Sequence, residues 1–197
     1  AAARNGRYKK RGNCSNENRK EKKAHRPEVY LEDVEANQDH YVMSERKDGL
    51  TQIRILSWDG SYDRYIEFDD PTYSTGVSTN AVFDTKYLRY SYNSLTTPAS
   101  TFEIHVETKE RKLLKQAPVL GEFSSENYTS ARLHALAADG TEVPISLVWH
   151  KSTELRGKAP LLLYGYGSYG LSMDPYFSTA RLSLLNRFFV FAIAHIS

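Results

Sequence analysis

From Val29 to Lys115 the chain writes one pattern repeatedly: a short run rich in β-branched and aromatic residues, then a turn. Tyr41–Ser44 and Leu50–Leu56 flank Arg46-Lys47-Asp48-Gly49, and Asp-Gly between two such runs is a hairpin signal. Ile53 and Ile55 alternate with Gln52 and Arg54, as in a strand with one buried face. Trp58-Asp59-Gly60 makes the next turn, Tyr62–Phe68 returns, and Asp69-Asp70-Pro71 breaks the run. The cycle repeats with Thr75–Val82, Lys86–Tyr92, Thr101–Val106 and Arg111–Lys115, the last pair joined by Thr108-Lys109-Glu110. A chain punctuated this way cannot build long helices. It must pair its strands antiparallel with their sequence neighbours. The 14 tyrosines agree, because aromatic residues favour strands.

Each round takes about 35–45 residues, the period of β-propeller blades. A propeller typically needs about 4–8 blades, so two rounds also fit an ordinary meander or half of a sandwich.

After Pro118 the character changes. Tyr128–Ala137 and Val143–His150 are longer strands joined by Ala138-Asp139-Gly140-Thr141. Ala159–Tyr164 is a continuous apolar run, which predicts a strand buried on both faces of a parallel sheet. Ser178–Arg187 carries Leu182, Leu184 and Leu185 and predicts a short helix, and Phe188–Ala194 is a second apolar run. Strand, helix, apolar strand is the βαβ signature. The expected fold class is therefore mixed, an all-β part giving way near residue 120 to the front of an α/β part.

The run ending at Tyr164 passes straight into Gly165-Tyr166-Gly167-Ser168-Tyr169-Gly170. In open α/β sheets ligands bind where loops leave the carboxyl ends of strands, so this loop is the candidate site. Its glycines permit tight turns and its tyrosines bring hydroxyl donors. Its spacing is not that of a dinucleotide loop, and no GxSxG elbow or phosphate-cradling lysine loop is present. The six histidines show no metal-ligand spacing and read as surface or core-edge residues. No metal site and no cofactor is expected.

Net charge is +2, but residues 1–26 carry +8 and the rest −6. Residues 1–25 are basic and poor in aromatics, and are expected to be disordered. Such a head can neutralise phosphates, but only Tyr8 could stack on bases, so nucleic acid is not the expected partner. A single cysteine, Cys14, forbids an internal disulfide and suits a reducing compartment such as the cytoplasm. No run of 18 apolar residues offers a membrane span, and no apolar signal segment opens the chain.

The stretch from about His25 to Ile196 resembles oligopeptidase B, a branch of the prolyl oligopeptidase family of serine peptidases. The residues that carry the likeness are Ser44-Glu45-Arg46-Lys47-Asp48-Gly49-Leu50, Phe68-Asp69-Asp70-Pro71, Leu88-Arg89-Tyr90, Ser94-Leu95-Thr96-Thr97-Pro98 and Val143-Pro144-Ile145-Ser146-Leu147-Val148. Pro160-Leu161-Leu162-Leu163-Tyr164-Gly165-Tyr166-Gly167-Ser168-Tyr169-Gly170, followed by Arg181-Leu182-Ser183-Leu184-Leu185, is the strongest.

The resemblance implies a partial β-propeller of about two blades over residues 26–118. The first strands of an α/β-hydrolase domain would follow over residues 119–197. It implies hydrolysis of peptides after Lys or Arg, with the Ser-Asp-His triad beyond residue 197. The 197 residues would then be a central slice of a longer enzyme and inactive alone. By position, Tyr166 is implied as an oxyanion-hole donor, Tyr169 as a wall of the primary specificity pocket, and Asp174 as a binder of a second basic substrate residue. Where the family often has another acid two positions on, this chain has Tyr176. The expected partners are peptides with basic residues, without a membrane. The alternative reading is a non-catalytic propeller-type binding module with a basic tail.

Overall fold

The computed structural model describes residues 24–196. The expectation of disorder for residues 1–25 falls, except for Ala24 and His25, outside the described residues. Three four-stranded sheets make up the fold. The first runs β1 (Tyr30–Ala36), β2 (His40–Lys47), β3 (Leu50–Ser57) and β4 (Asp63–Tyr65) in sequence order, every neighbour antiparallel. The second repeats the plan with β5 (Tyr73–Val77), β6 (Tyr87–Ser94), β7 (Ser100–His105) and β8 (Arg111–Gln116). Sequential four-stranded meanders are the blade architecture.

Local chemistry sets these strands. Lys47 pairs with Leu50, leaving Asp48 and Gly49 as a two-residue turn. Both have positive φ, 50° and 75°, so the turn is of the mirror-image kind that matches strand twist. β1 escaped the sequence reading because Glu32, Asp33 and Glu35 break its apolar pattern, and it lies almost wholly exposed at the sheet edge. The strand expected over Tyr62–Phe68 shortens to β4. The strand expected over Thr75–Val82 moves back to β5.

The two blades bury their faces against each other. Val42, Ile53 and Ile55 of the first meet Leu88, Tyr90, Tyr92, Ile104 and Val106 around one core. Phe68 stacks on Tyr92 and Tyr90 on Phe102, with centroids 4.8 and 5.7 Å apart. Rings offset in this way add to the area they bury. Two carboxylates are satisfied at the margins of this packing. Asp70 accepts hydrogen bonds from Tyr92 at 2.5 Å and from Thr96 and Thr97 at 3.2 Å. Burial, then this bond to Asp70, pushes the Tyr92 phenol well above its ordinary pKa. Glu45, fully buried, takes the Tyr65 hydroxyl at 2.7 Å and the Arg26 guanidinium, as a buried charge requires.

The third sheet has the order β11-β12-β10-β9, from β9 (Tyr128–Leu136), β10 (Glu142–His150), β11 (Leu161–Gly165) and β12 (Val190–Ala194). β9, β10 and β12 pair antiparallel. β11 and β12 pair parallel, Leu161 opposite Val190 through Gly165 opposite Ala194. Helix α1 (Thr179–Leu185) connects them, as the βαβ pattern predicts. One expectation is corrected here. β11 is not buried on both faces: all five of its residues are exposed. Among the described residues it has β12 as its one neighbouring strand, and α1 packs on β10 and β12 instead. Among the described residues no helix is long and apolar enough to cross a membrane.

Ile53 is fully buried between the blades. Ile53→Ala is expected to cost about 2–5 kcal/mol, read as a lower urea midpoint at unchanged slope.

Candidate functional site

β11 ends at Gly165, and the chain leaves the sheet through Tyr166 and Gly167 into a 3₁₀ turn at Ser168–Gly170. Tyr169, inside that turn, has φ 61° and ψ 24°. A left-handed conformation is costly for a residue with a bulky side chain, and such positions collect at functional sites. The residue is 94% exposed, so no burial compensates that cost. Tyr166, three positions earlier, is also exposed, at 38%. The extended chain then runs to Ser178, whose side chain caps α1 by accepting from the Arg181 amide.

Arg181 holds the far side of this loop. Its guanidinium lies 4.0 Å from the Phe191 ring centroid and 5.2 Å from that of Tyr176, and it donates to the Tyr176 carbonyl at 2.6 Å. Burial lowers its pKa.

Asp174 does not stand free on this loop. It accepts a hydrogen bond from Arg46 of β2 at 2.6 Å, while Arg46 also donates to Glu32 at 2.8 Å. Burial works against the Arg46 cation. The bonds to and charges of Asp174 and Glu32 outweigh it and raise its pKa above the ordinary arginine value. The structure thus sets Tyr166 and Tyr169 on one solvent-facing turn and ties Asp174 back to the first blade.

Two histidines are more buried than the sequence suggested. His40 is 1% exposed in the first blade. His195, just past β12, is 5% exposed, and its Nε2 lies 2.8 Å from the Ser146 Oγ of β10. A serine and histidine at this distance could in principle act as nucleophile and base. Ser146, however, is fully buried, and Gly49 of the β2–β3 turn covers the imidazole. A Cβ placed at Gly49 would come within 3.0 Å of the ring. The second nitrogen, Nδ1, makes no hydrogen bond of ordinary geometry to a described group, although the Met173 backbone lies beside it. No carboxylate orients the ring as a triad requires. The pair is a sealed polar contact. No sequence signal pointed to it, because its halves lie 49 residues apart. No cluster of His, Cys, Asp and Glu that could hold a metal occurs among the described residues.

Residues 9–117 match the N-terminal β-propeller domain of prolyl oligopeptidase. The chain belongs to this family of serine peptidases. The match enters the basic head that the sequence reading set apart. The dipeptidyl aminopeptidase BI of Pseudoxanthomonas mexicana is 47% identical over 174 residues, covering 88% of this chain and 24% of that protein. Protease 2 of Moraxella lacunata is 37% identical, covering 86% and 24%. The solved oligopeptidase B of Trypanosoma brucei, with covalently bound antipain, superposes with TM-score 0.79 at 37% identity, over 87% of this chain and 25% of that one. The enzyme from Leishmania major gives 0.78 at 34%. The chain spans about a quarter of the length of these relatives.

His195 makes acid stability a test of the sealed contact. Burial, then the nearby Arg132 cation, lowers its pKa from 6.5 to about 4. The folded state therefore binds its proton less readily than the unfolded one. Its stabilising contribution is complete above pH 6.5 and is lost as pH falls towards 4. His195→Asn is expected to remove on the order of 1–3 kcal/mol of that pH dependence, read by urea titrations at pH 7 and pH 4.5 beside the parent.

Proposed function

We propose that this chain serves an oligopeptidase B-like serine endopeptidase, which hydrolyses peptides after Lys or Arg. The observation that carries the reading is the Tyr166–Gly170 turn at the carboxyl end of a parallel strand, within a chain similar to two oligopeptidase B structures. On this reading residues 26–118 are the last propeller blades and residues 119–197 begin an α/β-hydrolase domain. The parallel β11–α1–β12 unit supports that division.

The chemistry assigned to the loop is stabilisation of charge. A serine nucleophile attacking a peptide carbonyl drives negative charge onto the oxygen, and a fixed donor aimed there lowers the barrier. Tyr166 supplies that O–H. Tyr169 presents its ring face to a substrate guanidinium or ammonium, a cation–π contact. Asp174 would bind a second basic residue only by exchanging its Arg46 partner for the substrate cation. The described residues offer no accessible serine–histidine pair to start the attack, since Ser146–His195 is sealed. On this reading the 197 residues alone are inactive, and the setting is a reducing, cytoplasmic one.

The test is a chimera in which residues 24–196 replace the matching quarter of the Trypanosoma brucei enzyme. It is expected to cleave a fluorogenic peptide after Arg and to ignore one with Pro at that place. Tyr166→Phe in the chimera should lower kcat by roughly 10²–10³ with KM little changed. The 197-residue chain alone should give no turnover. Preference for Pro, an unaffected kcat, or inhibitor-sensitive turnover by the chain alone would each overturn the proposal.

A further inference from the structure

The loop that carries Tyr166, Tyr169 and Asp174 is held from outside its own sheet, at two points. Arg46 of the first blade donates to Asp174 at 2.6 Å. Asn93 of the second blade accepts from the Phe177 backbone amide at 2.9 Å. One blade thus grips the side chain of residue 174 and the other grips the main chain three residues on. A side chain that binds a backbone amide fixes the path of the chain itself.

The first grip is itself braced. The turn that follows Arg46 is seated on the third sheet through two contacts, one of them braced by a bond within that sheet. Arg132 of β9 donates to the Asp48 carbonyl. The same guanidinium reaches the Ser146 hydroxyl at 3.4 Å. Gly49, at φ +75°, lies against the His195 ring with no room for a side chain. Arg46 also bonds the Gly49 carbonyl at 3.4 Å and Glu32 at 2.8 Å. The Arg46 fork is thereby preset before it meets Asp174, which is how a guanidinium imposes geometry rather than charge alone.

We propose that Arg46 and Asn93 are positioning residues: the two blades, and not the third sheet alone, set the conformation of the Tyr166–Ser178 loop. The inference rests on the reading of that loop as the substrate-facing turn, but its physical content is the coupling of loop to blades. Losing either grip frees the loop while leaving the three sheets intact, because neither side chain is part of an apolar core.

Backbone hydrogen exchange on the whole 197-residue chain tests this without any turnover. Arg46→Ala and Asn93→Ala are each expected to raise exchange at the hydrogen-bonded loop amides of Leu171 and Phe177 about tenfold or more, the loss of one strong hydrogen bond. Exchange in β2–β3, β6–β7 and β9–β10 should stay at parent rates. Arg46→Lys, keeping the charge without the fork, should fall between parent and alanine. Arg46→Lys and Asn93→Ala keep the hairpin turn packed, so they carry the test if Arg46→Ala does not fold. Loop exchange at parent rates in these variants, or a rise shared equally by all three sheets, overturns the proposal. In the chimera the same substitutions should lower kcat for the Arg peptide at unchanged melting temperature. A chimera that fails to cleave after Arg refutes the peptidase reading and leaves the exchange result to decide the coupling.

Discussion

The first two sheets depend on each other. Each is a meander with an apolar face that water would otherwise contact, and each covers the other. Ile53, Tyr90, Val42, Ile55, Leu88 and Val106 are all at most 1% exposed, which only interdigitated packing across two sheets achieves. The rest of the molecule hangs on that stack. The β2–β3 hairpin projects from it towards the third sheet, and Asn93 lies on β6 at its margin.

The third sheet is made differently. Its β10 and β12 strands and α1 bury Val148, Phe191, Ile193 and Leu185. Its strand β11 meanwhile presents Leu161, Leu162 and Leu163 to solvent. The carboxyl end of that strand is where Tyr166 and Tyr169 emerge. Among the described residues, one neighbouring strand, β12, restrains the strand this loop leaves. The contacts from Arg46, Asn93 and Arg181 supply the restraint that the sheet does not.

Much of the fold was legible because its signals are local. Asp48-Gly49 announced its hairpin, the alternation of Ile53 and Ile55 announced the buried face, and the run before Gly165 announced a strand parallel to β12. β1 was missed because an edge strand needs no apolar alternation. The exposure of β11 was missed because an apolar run specifies a strand and not how many neighbours it has. In the site, the loop residues were visible as a motif. Their partners were not. Arg46 and Asp174 are separated by 128 positions, and Asn93 and Phe177 by 84, so nothing in the local pattern of either end names the other.

The two kinds of contact in this molecule differ in what they can fix. Apolar packing between blades is strong and non-directional, so it holds the sheets together but tolerates small slips. The contact of the first blade with the third sheet and its loop includes the Arg46–Asp174 pair and the Arg132 bridge to Asp48. Arg46 and Asp174 remain 20% and 33% exposed, and ion pairs in contact with water add little stability. Their hydrogen bonds are directional, however, and lose their energy steeply with misalignment. Stability in this chain therefore resides mainly in the blade core, while the placement of the tyrosine loop resides in a few polar contacts that add little to it. Placement can then be altered at Arg46 or Asn93 without unfolding the sheets that carry them.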